Sequence, residues 1–121
     1  MINRIMVEIP ITERDFSSAV EDLFKLFGWR FSHFRPARTE KGWRTAITGD
    51  RGFPDYVAVR NARLVFIELK SEKGRLTEAQ AEWLELLRQC QRERLRHMEV
   101  PNIEVYLWKP SMFEEIVGVL T

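Results

Sequence analysis

Gly52-Phe53-Pro54-Asp55 and Glu68-Leu69-Lys70, separated by the twelve residues from Tyr56 to Ile67, are the stretch whose reading decides the fold of this chain. Inside that interval Tyr56-Val57-Ala58-Val59 and Leu64-Val65-Phe66-Ile67 are short β-prone runs, and Arg60-Asn61-Ala62-Arg63 supplies a turn. They predict a hairpin whose second strand is largely buried. Side chains alternate along a strand, so Phe66, Glu68 and Lys70 share one face while Val65, Ile67 and Leu69 share the other. Glu68 and Lys70 therefore project together from the end of an apolar strand, where burial of either charge is costly unless it is paired or coordinates a metal. Pro54 favours an extended Phe53 and, with Gly52, a tight entry that aims the Asp55 carboxylate.

Two carboxylates and an ammonium at such a junction form a minimal kit for holding a hard cation beside a phosphodiester and activating a water. The bland alternative is a solvated rim or a simple ion pair next to a Pro-Asp turn. Either half alone is a weak signal. Both halves on one hairpin, followed by a helix with a polar residue on its inner face, favour the functional reading.

Working outward, Thr12 reads as an N-cap, and Phe16, Val20, Leu23, Phe24 and Phe27 form one helical stripe that ends at Gly28. Trp29 to Phe34 reads as a strand, and Pro36 to Asp50 as a long connection holding a short extra turn. After the hairpin, a helix from about Glu78 to about Arg94 places Trp83, Leu84, Leu87 and Cys90 on its apolar face, with a frayed, charged end from Gln91 to His97. Ile103 to Trp108 reads as a strand and Ser111 to Leu120 as a terminal helix. The order α-β-β-β-α-β-α predicts an α/β fold with a mixed sheet flanked by helices.

The 121 residues suffice for one core and a single domain, and 45% hydrophobic with 31% charged residues is ordinary for a soluble globular protein. One cysteine, Cys90, excludes an internal disulfide and a cysteine-rich zinc site, and reads as a small core residue. No apolar run approaches membrane-spanning length and no signal-peptide pattern opens the chain, so the expected compartment is the cytoplasm. No Cys/His spacing points to zinc, and no phosphate loop ending in Lys-Ser/Thr points to a nucleotide cofactor. His33, on a strand with alternating apolar residues, reads as a hydrogen-bonded structural histidine.

The block from Gly52 to Leu87 resembles the PD-(D/E)xK nuclease superfamily, specifically its VRR-NUC branch. That branch shows a Gly-x-Pro-Asp strand, a Glu-x-Lys strand, and a helix entered through a Gly-Arg-Leu-Thr-like turn that carries a glutamine. The matching residues are Gly52 to Asp55, Glu68 to Lys70, Gly74-Arg75-Leu76-Thr77 and Gln80. Thr12-Glu13-x-x-Phe16, Gly28-Trp29 and Val105 to Pro110 also look like compact phage and bacterial members, so the likeness runs from about Thr12 to Leu120. It implies a restriction-endonuclease-like core and a metal-dependent endonuclease, several members of the family acting on branched or flapped DNA.

On that footing Asp55 and Glu68, with the Leu69 carbonyl, are expected to hold Mg²⁺ or Mn²⁺, one ion or two. Lys70 orients or deprotonates a water or stabilises the phosphate charge; the sequence does not separate these roles. Glu13 lies two helical turns before Val20 and so projects over the inward stripe, whereas Glu21 is rotated off it by roughly 80° relative to Glu13. First-turn dipole compensation is an equal reading of Glu13; the family pattern, with an acid just after a threonine, tips it toward the site. Thr77-x-x-Gln80 is itself a capping box, while the resemblance gives Gln80 a supporting role near metal or phosphate.

Net charge is only +1, but from Gly28 to Arg51 there are six basic residues (Arg30, Arg35, Arg38, Lys41, Arg44, Arg51) against two acids (Glu40, Asp50). Trp29, Phe31 and Phe34 within that segment read as core. Arg35, Arg38, Lys41 and Arg44, in the connection, are the candidate DNA contacts. The small surface favours a homodimer presenting two sites, as a Holliday-junction resolvase would; a monomeric flap nuclease and a catalytically inactive DNA-binding module are the competing readings.

Overall fold

The computed structural model describes residues 11–34, 37–40, 42–44, 48–94 and 102–121. Along the chain the elements are α1 (Glu13–Leu26), β1 (Arg30–His33), β2 (Ala37–Thr39), β3 (Gly42–Arg44), β4 (Tyr56–Arg60), β5 (Arg63–Leu69), α2 (Glu78–Arg94), β6 (Asn102–Trp108), a 3₁₀ turn (Pro110–Met112) and α3 (Phe113–Leu120). The hairpin strand β5 is the axis. It pairs antiparallel with β4 and parallel with β6, and β1 completes a mixed sheet of order β1-β4-β5-β6. This is the predicted α/β arrangement, a restriction-endonuclease-like core. A parallel neighbour needs a long crossover, and α2 supplies it.

Local chemistry sets the ends of these elements. The Thr12 hydroxyl accepts from the Asp15 amide at 3.0 Å, so α1 starts where an N-cap requires. Its end is a left-handed Gly28 (φ +79°), after which the Trp29 amide returns to the Phe24 carbonyl at 2.8 Å. The β4–β5 turn is two residues, Asn61 and Ala62, with φ of +48° and +67°. Positive φ at both central positions matches the right-handed twist of a tight hairpin, although Ala62 carries a Cβ there at some cost.

The core lies on one face of the sheet. Phe16, Val20 and Phe24 from α1 and Ile116 and Leu120 from α3 pack on Tyr56, Ala58, Val65, Ile67, Leu69 and Trp108. Each large side chain buried this way contributes about 1.5–3 kcal/mol. α2 packs against β6, and its buried Leu84 stands outside that cluster. The α1 stripe and the strand alternation therefore read correctly. Cys90 does not: it is exposed, because α2 buries a narrow strip and the helix has turned away by its last turns.

The connection after β1 also differs from expectation. Instead of a loop with one extra turn, it contains a separate two-stranded ribbon, β2–β3, with Arg38 opposite Trp43 and Ala37 opposite Arg44. Three-residue strands are too short to show an alternation that distinguishes them from loop. Of the candidate DNA contacts, Arg38 and Arg44 fall on this ribbon, while Arg35 and Lys41 lie outside the described residues. His97 lies outside them as well.

At the turn end of the sheet, buried Glu104 is held by a bidentate Arg63 (2.6 and 2.7 Å) and by the Tyr106 hydroxyl (2.6 Å). Burial raises the Glu104 pKa, but the guanidinium and the phenol outweigh it and hold the carboxyl below its ordinary value. The Trp29 ring has the Arg60 guanidinium 4.8 Å and the Arg63 guanidinium 4.9 Å from its centroid. Arg60 also donates to the Phe27, Leu120 and Thr121 carbonyls, tying the ends of α1 and α3 together.

Candidate active site

The opposite end of β5 brings together the candidate residues Asp55, Glu68 and Lys70. Gly52 makes room for them: at φ +95°, a Cβ there would lie 2.6 Å from the Ala79 carbonyl carbon. Only glycine lets the segment before Asp55 press against the first turn of α2. Buried Pro54 then delivers Asp55 to the end of β4, where its Oδ2 accepts from the Leu69 amide at 2.9 Å. One carboxylate is thus bolted to the strand that bears the other. Glu68 is 2% exposed, and the Lys70 ammonium lies 3.6 Å from its Oε2.

The electrostatics of the pair are those of uncompensated negative charge. Burial pushes Glu68 up to about 8, and the neighbouring Asp55 carboxylate adds to it; Lys70 only partly opposes them. Asp55 is also raised, by burial first, with the Glu13 charge adding and the Leu69 amide and Lys70 opposing. Glu13 is exposed in the first turn of α1, yet near enough for its charge to act on both acids. Asp55, Glu68, Lys70 and Glu13 are therefore brought to one electrostatic neighbourhood.

Gln80 realises its capping alternative. Its Oε1 accepts from the Thr77 amide at 3.0 Å, and its own amide donates to the Thr77 hydroxyl at 3.1 Å. The side chain thus fixes the start of α2, the helix that meets Gly52.

A cleft of about 320 Å³ opens beside Asp55. One wall is a face of α1, with Glu13, Ser17 and Glu21 in one i, i+4 row and Arg14 and Ser18 in the next; His33 and Phe34 line it from the end of β1. Three of these residues depart from what periodicity predicts. Glu21, 80° from Glu13 by helical geometry, still lies within the broad face that a helix presents to a cleft. It accepts a short hydrogen bond from the buried Tyr56 hydroxyl, and the His33 Nδ1 is 3.0 Å from the same carboxylate without hydrogen-bond alignment. His33 stacks on Tyr56 at 4.1 Å, so it is structural but also lines the cleft. Phe34, expected in the core, is 41% exposed and meets Phe53 edge-on at 5.5 Å. It lies one residue beyond β1, where alternation carries its ring to the face away from α1.

The residues fit a hard divalent cation. Their donors are carboxylate oxygens, and both acids have pKa values raised by burial first and by neighbouring negative charge second, both of which a bound cation would offset. No group of three or more Asp, Glu, His or Cys side chains among the described residues is arranged to hold a metal. The donors that the described residues bring together are the carboxylates of Asp55 and Glu68.

A mixed sheet carrying a Pro-Asp strand end against a Glu-x-Lys strand end defines a nuclease of the PD-(D/E)xK class. A family model described as the VRR-NUC domain matches residues 34–105, more than half of the chain, and the chain belongs to that family. Its activity is accordingly that of a nuclease, and its partner is DNA. The match takes in Asp55, Glu68, Lys70 and Gln80 but stops short of α1 and Glu13. No curated protein matches the chain.

Proposed function

We propose that this protein is a divalent-metal-dependent DNA endonuclease that cuts phosphodiester bonds in branched or otherwise structured DNA. The observation that carries the reading is the Asp55–Leu69 hydrogen bond, which locks one carboxylate beside a buried Glu68–Lys70 pair. Asp55, Glu68 and the Leu69 carbonyl would hold Mg²⁺ or Mn²⁺, and Glu13 would reach the same ion directly or through water. When bound, such an ion supplies Lewis acidity to water and to phosphate. Lys70 holds its Nζ where it can orient the attacking water, take its proton, or stabilise charge on the phosphate. Gln80 supports the site by pinning α2, and the basic residues Arg35, Arg38, Lys41 and Arg44 contact the DNA backbone.

The whole chain acts as one nuclease domain, and two copies would present two sites to a junction. Light scattering on a gel-filtration peak tests this: a clean monomer at micromolar concentration removes the resolvase-like reading and leaves a flap or restriction-like nuclease. No described helix is long and apolar enough to cross a membrane. The proposed substrate, DNA, would be met in the cytoplasm of a bacterium or a phage-infected host.

Lys70→Ala is the direct test of catalysis. The side chain is largely buried but sits at a strand end, so folding and DNA binding should survive while cleavage of linear, flapped and four-way DNA in Mg²⁺ or Mn²⁺ is abolished. Undiminished cleavage by this variant sinks the assignment. Binding without cleavage by the wild-type protein across both metals would favour a non-catalytic module instead.

A further inference from the structure

One histidine in the cleft beside Asp55 is held more firmly than a lining residue needs to be. His33 stands opposite Tyr56 in the β1–β4 ladder and stacks on its ring, with 4.1 Å between centroids and 18° between planes. The Tyr56 hydroxyl donates a short hydrogen bond to Glu21 Oε2, and the same oxygen lies 3.0 Å from the His33 Nδ1. One buried tyrosine thus holds both the imidazole and the carboxylate that faces it. Nδ1 is buried without an aligned hydrogen-bond partner, yet the side chain keeps 18% of its surface and lines the cleft together with Asp55. A buried ring nitrogen that faces a carboxylate carries the hydrogen, which leaves the lone pair on the other nitrogen. With Nδ1 turned inward, Nε2 is the acceptor left for the open side of the ring. A charge on this ring is also felt by the Asp55 carboxylate, so the two side chains share one neighbourhood.

We propose that His33 is the general base of this nuclease, positioned by Glu21 and Tyr56, and that its Nε2 takes a proton from the water that attacks the scissile phosphate. The water oxygen forms the new bond to phosphorus. The bridging P–O bond breaks with its electron pair on the leaving oxygen, which takes a proton from solvent, and His33 returns its own proton to solvent through the open cleft. The inference rests on the nuclease reading and decides among the roles open to Lys70. The Lys70 ammonium faces Glu68 at 3.6 Å, and an ammonium has no lone pair with which to accept a proton. Its charge is left for the phosphate. The polar and charged groups around His33 are Glu21, Glu13 and Arg14 from α1 and Asp55 and Tyr56 from the start of β4. Of these, Glu21 is the carboxylate within reach of the ring nitrogen, as in other carboxylate–histidine pairs that fix a tautomer.

Single-turnover cleavage in Mg²⁺ is measured for the full chain on whichever of linear, flapped or four-way DNA the wild-type protein cuts best, with binding to the same DNA followed in Ca²⁺. His33→Ala should lower the cleavage rate by about a hundredfold or more, the usual contribution of a general base, with DNA affinity little changed. His33→Gln fills the site and can still donate to Glu21, but it has no basic nitrogen and should be as slow. Added imidazole should restore cleavage to His33→Ala and not to His33→Gln, and substituted imidazoles of similar size should rescue it better as their basicity rises. Glu21→Gln should slow cleavage by about tenfold or more, because an amide no longer fixes the tautomer. Far-UV circular dichroism and the melting temperature confirm that each variant is folded.

Wild-type cleavage with an undiminished rate in His33→Ala, or full activity in His33→Gln, overturns the base assignment and leaves the nuclease reading standing. A slow His33→Ala that no imidazole restores likewise reduces His33 to a packing role. Failure of the wild-type protein to cut any DNA overturns the nuclease reading, and the base assignment falls with it.

Discussion

Glu68→Gln should make the metal-free protein more stable, and increasingly so as pH rises. Glu68 is 2% exposed and its pKa is pushed from 4.5 to about 8. Between those values the folded protein keeps a proton that the unfolded chain has lost. The folded state binds more protons across that window, so wild-type stability falls as pH rises through it. The stabilising contribution is complete below pH 4.5 and gone once pH has passed about 8. At about 1.4 kcal/mol per tenfold change in proton affinity, the rise from 4.5 to about 8 sets a ceiling near ~5 kcal/mol. Glutamine is neutral throughout and nearly isosteric, so the variant escapes this loss. The burial of Asp55 is common to both proteins, and removing the Glu68 charge also relieves its repulsion with Asp55, which works in the same direction.

Urea unfolding followed by circular dichroism, in EDTA at about pH 5, 7 and 9, measures that difference directly. The advantage of Glu68→Gln should be small at pH 5 and reach a few kcal/mol at pH 9. A difference that stays level from pH 5 to 9 would falsify the account of Glu68 as a buried, charge-crowded acid. Saturating Mn²⁺ at pH 8 should reverse the ranking, because a metal at a hundred times its Kd adds about 2.7 kcal/mol to the protein that binds it. The variant should also lose cleavage.

Gly52→Ala forces a Cβ to within 2.6 Å of the Ala79 backbone at φ +95°; a loss of about 2 kcal/mol or more is expected, with cleavage falling alongside the melting temperature. Ala62→Gly relieves a left-handed φ of +67° at the hairpin turn and should stabilise by about 0.5–1 kcal/mol without changing activity; a lower melting temperature would count against the turn geometry. Arg63→Ala strands the buried Glu104 carboxylate and should cost about 3–5 kcal/mol in chemical denaturation, with Glu104→Gln partly restoring stability in the double variant. No rescue there would mean that packing, rather than the unpaired charge, dominates.

The sheet and the meeting of Asp55 with the Glu68–Lys70 strand end were legible because each rests on a short-range rule. Alternation placed Glu68 and Lys70 together, helical periodicity placed Phe16, Val20 and Phe24 on the core, and capping chemistry started both α1 and α2. Positions governed by tertiary cover were not legible in the same way. Cys90 continues an apolar stripe, but none of the described residues covers that part of α2 closely enough to bury it. Phe34 looks like its neighbours Trp29 and Phe31, yet the strand ends just before it. Glu21 joins the cleft because Tyr56, distant in sequence, brings a hydroxyl to it. Gln80 shows two compatible signals on one residue, and the capping one is satisfied in full.

The hydrogen bond from the Leu69 amide to Asp55 has a consequence for folding as well as for chemistry. Tyr56 faces Ile67 across the β4–β5 ladder, and a slip of one residue would turn every core side chain of β5 outward while breaking that bond. Assembly of the acidic pair and correct pairing of the hairpin are thus one event. A chain paired in the wrong register would have neither a core nor the Asp55–Glu68 pair, so any chemistry that pair supports is confined to molecules that have already folded correctly.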